Sequence, residues 1–329
     1  MSDAPPVIEV RSLKKYFPLP RRYPGQPAAR VHAVDDVSLA IGRGETLSLV
    51  GESGCGKSTV GRTILGLIKP TAGEVRLDGL RIDNLPPRRL RPLRRRMQVV
   101  FQDPFSSLNP RLRVREILAE PIANFSLART RDEFSSRIAS LLEKVRLPAD
   151  AAGRFPHEFS GGQRQRIGIA RALATGPEVI ICDEAVSALD VSVKAQIVNL
   201  LADLQDELGL SLLFITHDLA IVEHLTHRVA VMYLGRIVEA ADRQSLFARP
   251  FHPYTQALLS AVPVPDPASA RRRTILKGDV PSPINLPSGC RFHTRCPHAF
   301  ARCRTEEPVL RPVGAGQVVA CHLETRPGS

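Results

Sequence analysis

Between Gly51 and Ser58 the chain reads Gly51-Glu52-Ser53-Gly54-Cys55-Gly56-Lys57-Ser58, glycines at fixed spacing ahead of a lysine and a hydroxyl. Glycines let successive backbone N–H groups converge on phosphate oxygens, and a helix starting there adds its positive end. Lys57 is spaced to reach the β- and γ-phosphates of a nucleotide, and Ser58 to offer its hydroxyl to Mg²⁺. A chance glycine-rich turn is the bland alternative. The run lies between an apolar LSLV segment and a helical pattern through Thr59, which favours the phosphate reading. Cys55 occupies a variable position of the pattern, where a small residue is simply tolerated.

Phosphate chemistry needs carboxylates as well. The apolar run Val179-Ile180-Ile181-Cys182 ends in Asp183-Glu184. Strand alternation would turn the two acids to different sides, leaving Asp183 for Mg²⁺ and Glu184 to polarise an attacking water. Alone the pair is weak evidence, since such a pair is often a solvated turn; after a complete phosphate loop it is strong. A second constellation lies late in the chain, where Cys290, Cys296, Cys303 and Cys321 are spaced C-x5-C-x6-C-x17-C. In a chain without secretory features such a group more often serves metal or redox chemistry than disulfides. Close C-x2-C pairs are absent, and His293, His298 and His322 could replace a ligand in favour of zinc.

These residues must be positioned by a fold. The segments VIEVRSL and VHAVDDVSLAI alternate with period two and predict antiparallel strands. The runs ETLSLV, PEVIICDEA and SLLFITHD predict buried parallel strands. RVAVMYLGRIVEA predicts a hairpin turning near Gly235, and KAQIVNLLADLQDEL an amphipathic helix; residues from about 111 to 170 carry only helical signals. Alternation of this kind predicts an α/β fold with a mostly parallel sheet under helices. After about residue 250 the prolines Pro250, Pro253, Pro263, Pro265, Pro267, Pro281, Pro283 and Pro287 argue against a regular core, predicting a linker and a small appended module.

Composition narrows the classes. Of 329 residues 43% are hydrophobic, 24% charged and 5% aromatic, which excludes disordered, collagen-like and disulfide-stapled chains. No apolar run approaches the roughly 18–20 residues that cross a bilayer, and MSDAPPVIEV lacks the basic start and apolar core of a signal. A cytoplasmic setting is expected. The net charge of +12 suits an anionic partner. Arg88, Arg89, Arg91, Arg94, Arg95 and Arg96 crowd RRLRPLRRR, read as a solvated basic face or as a patch for an anionic inner leaflet. No aromatic residues alternate with them, so base stacking, and a nucleic-acid partner, are not expected.

Phe159-Ser160-Gly161-Gly162-Gln163, about twenty residues before Asp183, resembles the signature motif of ABC-type ATPases. Further motifs are similar to that family's: Gln102 in VVFQDP to the Q-loop, Ser187-Ala188-Leu189-Asp190 to the D-loop, His217 in ITHD to the switch histidine. Phe17 in KKYFP resembles the aromatic residue that stacks on adenine, with Tyr16 beside it as alternative. One departure is Ala185, where many relatives carry proline. The resemblance implies a P-loop (RecA-like) core with an antiparallel β-subdomain and a helical subdomain near 105–170, together spanning 1–250. It implies an ATP site lined by Phe17, the loop Gly51, Glu52, Ser53, Gly54, Cys55, Gly56, Lys57, Ser58 and Thr59, with Gln102 and Asp183. Ser58, Gln102 and Asp183 would hold Mg²⁺, while Glu184, His217 and Gln102 act in catalysis. Ser160, Gly161, Gly162 and Gln163 would meet the γ-phosphate bound to an opposite subunit.

DPFSSLNPRLRVREILAEP, HPYTQALLSAVPVPDP and SPINLPSGCRFHTRCP resemble the ATPases of oligopeptide and dipeptide importers, whose carboxy-terminal extension would fill 251–329. Membership implies a peripheral position on the cytoplasmic face of a bacterial inner membrane. The implied partners are a related but non-identical ATPase, two permease subunits and, indirectly, an extracytoplasmic peptide-binding protein. It also implies a 4Fe–4S cluster on Cys290, Cys296, Cys303 and Cys321, against zinc or reduced structural thiols. Import of another solute, such as a nickel chelate or glutathione, and a soluble ABC ATPase acting on nucleic acid or ribosomes are the alternatives.

Overall fold

Period-two patterning at the amino terminus yields β1 (Ile8–Pro18) and β2 (Arg30–Ile41), paired antiparallel with Ile8 opposite Ile41 and Val10 opposite Leu39. The structure, a computed structural model, describes residues 5–20, 29–103, 107–262, 276, 278–314 and 316–325. The fully buried β3 (Thr46–Val50) runs into the phosphate loop and the helix Lys57–Ile64. With β4 (Ala72–Leu77) and β5 (Leu80–Arg81), the first two strands form a four-stranded sheet in the order β2-β1-β4-β5. Val7, Val37, Leu49, Val60 and Val75 fill the core between this sheet and the next.

The larger sheet gathers β6 (Met97–Val100), β7 (Val179–Asp183) and β8 (Ser211–Thr216) beside β3, all parallel. β9 (Arg228–Tyr233) continues it parallel to β3, and β10 (Arg236–Asp242) folds back through a turn where Gly235 has φ +83°. β7 and β8 are buried along their whole length, which is why their sequences are continuous apolar runs. The expected helical region holds the helices Val114–Asn124, Arg131–Lys144 and Gly161–Leu173. Their apolar faces share one core with Ile180, Cys182 and Phe214, so this region is packed onto the sheet. Residues 105 and 106 of the expected range lie outside the described residues.

The arginine-rich stretch forms the helix Pro87–Arg94, anchored by buried Leu90. Four of the six arginines are occupied structurally, Arg91 by donating to the Asn124 carbonyl (3.3 Å). Arg94 donates to the Gly66 carbonyl (3.0 Å) and Arg95 to that of Thr175 (3.1 Å), while Arg96 forks onto Glu178 (2.5 and 2.7 Å) and pairs with Asp78. Arg88 and Arg89 remain exposed. No helix among the described residues is long and apolar enough to cross a membrane.

The expectation that prolines exclude a regular core after residue 250 is corrected. Pro253 opens the helix Pro253–Ser260 at its first turn, where a missing N–H costs nothing. β11 (Arg311–Gly314) and β12 (Gln317–Val319) extend the large sheet, giving the order β11-β12-β10-β9-β3-β8-β7-β6, with Glu239 opposite Val319. Tyr254 and Phe292 are buried in a third core with Val50, Val231 and Tyr233. Pro263, Pro265 and Pro267, on which the linker expectation partly rested, lie outside the described residues.

Candidate nucleotide site

The loop from Gly51 to Ser58 joins the carboxyl end of β3 to the helix Lys57–Ile64, so the helix points its free N–H groups back across the loop. Only glycine fits at its tightest point. Gly56 has φ +107°, and a Cβ there would stand 2.0 Å from the Ala33 carbonyl oxygen. Lys57 is 4% exposed and donates to the carbonyls of Gly51 (2.8 Å) and Glu52 (2.9 Å). Its Nζ is 3.8 Å from Cys55 Sγ, and burial pushes that thiol up, so Cys55 acts as a small neutral filler. Ser53 and Gly54 are exposed at the tip, and Thr59 sits half-buried in the first helical turn.

Ser58 Oγ donates to Asp183 Oδ1 at 2.5 Å, joining the end of the loop to the end of β7. Two hard oxygen donors at one point suit Mg²⁺, so the side chains present fit the ion that the phosphate loop implies. Arg62 lies 3.7 Å from the other oxygen of Asp183.

Glu184 is turned out by a different device from the one expected. β7 stops at Asp183, and Glu184 takes φ +49°, a left-handed backbone, with its N–H donating to Ile215 O (2.9 Å). A kink, rather than strand alternation, therefore separates the two acids. Left-handed backbone at a non-glycine residue costs free energy, which neighbouring bonds must offset. Ser187 supplies two, its N–H (3.1 Å) and Oγ (2.9 Å) both donating to the Glu184 carbonyl. The Glu184 carboxylate ends 3.6 Å from Nδ1 of His217, a side chain 51% exposed just past β8. Gln102 is exposed just past β6, whose Val100 lies opposite Cys182.

Phe17 is 36% exposed with Lys15 Nζ 4.9 Å from its ring centre. Tyr16 is committed elsewhere: its hydroxyl bonds to Asp35, and burial together with that bond pushes it up to about 12. Of the two aromatics, Phe17 is the exposed one and Tyr16 is half-buried.

Ser160 caps the helix Gly161–Leu173, accepting from the Gln163 N–H (3.3 Å) while Gln163 Oε1 accepts from the Ser160 N–H (3.0 Å). Ser160 is exposed and Gly162 buried. This helix packs on β6, three strand positions from β3, about 14 Å at ordinary strand spacing. Lys57, Ser58, Asp183, Glu184 and His217 come together; Ser160 to Gln163 stand apart from them.

The four late cysteines are free thiols, Cys303 buried and the others half-buried. Burial pushes Cys290 up to about 12 and Cys296 to about 11, and each is raised further by Cys303 and Cys321 nearby. The Cys290 N–H donates to Cys303 O at 2.8 Å. The thiols share a neighbourhood, but among the described residues no three His, Cys, Asp or Glu are placed to hold one metal ion. The expected cluster or zinc site draws no support from this arrangement. Burial raises the cost of ionising Cys290, Cys296 and Cys321.

Two contacts had no sequence signal. Arg295 forks onto Glu52 of the phosphate loop (2.7 and 3.0 Å), and the Glu52 N–H donates to the Tyr254 hydroxyl at 2.8 Å. Partners more than 200 residues apart are invisible to local spacing.

A phosphate loop, an Asp-Glu strand end and a helix-capping Ser-Gly-Gly-Gln in this topology define a P-loop nucleotide-binding cassette. Residues 34–187 match the family model for ABC transporters, and 238–303 that for the oligopeptide/dipeptide transporter carboxy-terminal region. A Sinorhizobium fredii protein named "probable peptide ABC transporter ATP-binding protein" is 57% identical over 98% of this chain and 91% of its own. The oligopeptide transport ATP-binding protein AppF of Bacillus subtilis is 50% identical over 96% of this chain and 97% of its own. Among solved structures, cbiO1 from Clostridium perfringens, part of an ABC transporter complex, superposes with a TM-score of 0.64 at 28% identity, covering 74% of this chain and 92% of that one. The cassette MJ0796, dimeric and bound to ADP and phosphate after hydrolysis, gives 0.62 at 30%, covering 72% and 98%. The chain belongs to the ABC transporter family, as an ATP-binding subunit of its oligopeptide/dipeptide group.

Proposed function

We propose that this chain is the ATP-hydrolysing subunit that powers import of di- or oligopeptides. The observation that carries the reading is the Ser58–Asp183 contact, with the Glu184–His217 pair beyond the adjoining strand ends. Lys57 and the loop N–H groups hold the β- and γ-phosphates. Mg²⁺, bound by Ser58, Asp183 and Gln102, would neutralise charge on the phosphate oxygens. Glu184 accepts a proton from the attacking water as its oxygen bonds to the γ-phosphorus, and the bond to the leaving oxygen of ADP breaks. His217 orients Glu184 and contacts the γ-phosphate. Phe17 stacks on adenine.

Ser160, Gly161, Gly162 and Gln163 form an anion site at a helix start, remote from the loop of the same chain. That separation supports a head-to-tail pair in which each signature motif closes the partner's nucleotide. The partner is read as a non-identical ATPase beneath two permeases at the cytoplasmic face of the inner membrane, supplied by an extracytoplasmic peptide-binding protein. The cassette is taken as 1–250, and 251–329 as its importer-type extension. A 4Fe–4S cluster or zinc on Cys290, Cys296, Cys303 and Cys321 rests on their spacing and shared neighbourhood. Elemental analysis of anaerobically purified protein tests it: about four irons with sulfide, one zinc, or neither for reduced thiols. The function is tested by hydrolysis: Mg-ATP turnover per chain should rise on assembly with the second ATPase and permeases. Equal turnover at all dilutions without partners would contradict the shared site.

A further inference from the structure

We propose that Arg295, far outside the nucleotide motifs, is a positioning residue of the phosphate loop that acts through Glu52; the inference rests on the nucleotide-binding reading above. Glu52 is the second residue of the loop, and a carboxylate there is an electrostatic liability beside a triphosphate. Arg295 answers it with a two-pronged guanidinium–carboxylate pair, from a side chain only 8% exposed. The guanidinium also stands over the Tyr233 ring, 5.9 Å from its centre, which fixes its approach.

Glu52 is tied at three points. Its carboxylate is held by Arg295, its N–H donates to the Tyr254 hydroxyl, and its carbonyl accepts from Lys57 Nζ. Tyr254 is fully buried, with Phe292 5.4 Å from its ring, so two of these three ties come from the chain beyond residue 250. Arg295 therefore does two things at once. It cancels a negative charge inside the loop, and it draws the Glu52 side chain toward the carboxy-terminal segment, leaving the loop N–H groups to the phosphates.

The test is Mg-ATP affinity of the full chain by calorimetry at fixed ionic strength. Arg295→Ala should weaken binding on the order of tenfold, the effect of one uncompensated charge roughly 10 Å away at an effective dielectric near 20. Adding Glu52→Gln should restore most of the loss, because the liability disappears with the carboxylate. A merely structural role for Arg295 gives no such rescue. Should Arg295→Ala not fold, Arg295→Gln, which keeps most of the side-chain volume, takes its place in the same pair of measurements. Parental affinity in the single variant overturns the inference, as does a loss that Glu52→Gln leaves unrepaired. A parent chain that binds no Mg-ATP overturns the nucleotide reading and this inference together, whereas parental binding with an unaffected Arg295 variant sinks this inference alone.

Discussion

The phosphate loop and the four-cysteine segment both look, in sequence, like sites made from small residues at fixed spacing. In the loop the binding groups are backbone N–H groups of consecutive residues, so spacing along the chain is already geometry in space. One strand end, one helix start and a few positive φ angles complete it. The cysteines offer side chains spread from 290 to 321, and their convergence depends on how the intervening turns and the helix Ala301–Thr305 pack. The thiols gather without closing. A contiguous motif carries its own geometry, whereas a dispersed one borrows it from the fold.

Substitutions can break that contrast, and the largest effect belongs to the loop side. Glu184→Gln should lower Mg-ATP turnover of the assembled complex by about 10²–10⁴ while nucleotide binding persists, as single-turnover and filter-binding measurements would reveal. Lys57→Ala removes a charge-assisted bond to phosphate and should weaken Mg-ATP binding itself by about ten- to a hundredfold in calorimetry. Retained affinity would dismiss the lysine from its assigned place.

On the carboxy-terminal side the third prediction concerns acid stability. His252 is buried beside the loop's anchor Tyr254 and accepts that residue's N–H at Nδ1, and burial pushes it down to about 3 from 6.5. Between those values the unfolded chain takes up a proton that the folded chain refuses. Stability is therefore full above 6.5 and falls with pH by about 1.4 kcal/mol per unit below it. His252→Asn keeps an acceptor at the helix start and should flatten urea midpoints between pH 7 and 5 relative to the parent. The smallest effect sharpens the comparison: Cys321→Ser should leave Mg-ATP affinity within about twofold, while amide exchange near Cys290 and Cys303 quickens. A large loss of affinity would mean that the thiols reach the loop after all.

Much of the fold was legible because it is locally encoded. The buried runs at β3, β7 and β8, the period-two pair β1 and β2, and the Gly235 hairpin all follow from patterns within a dozen residues. Loop, acid pair and capping serine were legible for the same reason. The left-handed Glu184 was not, because its kink is sustained by Ile215 and Ser187 from neighbouring segments. Arg295 and Tyr254 were missed because an arginine among cysteines and a tyrosine after a proline carry no mark of a partner more than 200 residues away. The prolines after 250 misled for a related reason: a proline at a helix's first turn, as Pro253 is, disrupts nothing.

The pairing of β12 with β10 bears on how this protein can be trimmed or grafted. A cut at residue 250, where sequence composition changes, would remove β11 and β12 and bare the backbone of β10 along the rim of the six strands that remain. It would also strip Glu239, whose buried carboxylate accepts from the N–H groups of Phe251 and His252 and from Gln317 Nε2. A shortened chain would thus present a raw strand edge, the condition under which chains stick to one another. Chimeras that exchange cassettes between importers should carry the junction beyond Val319, so that the donor sheet arrives with its own hem.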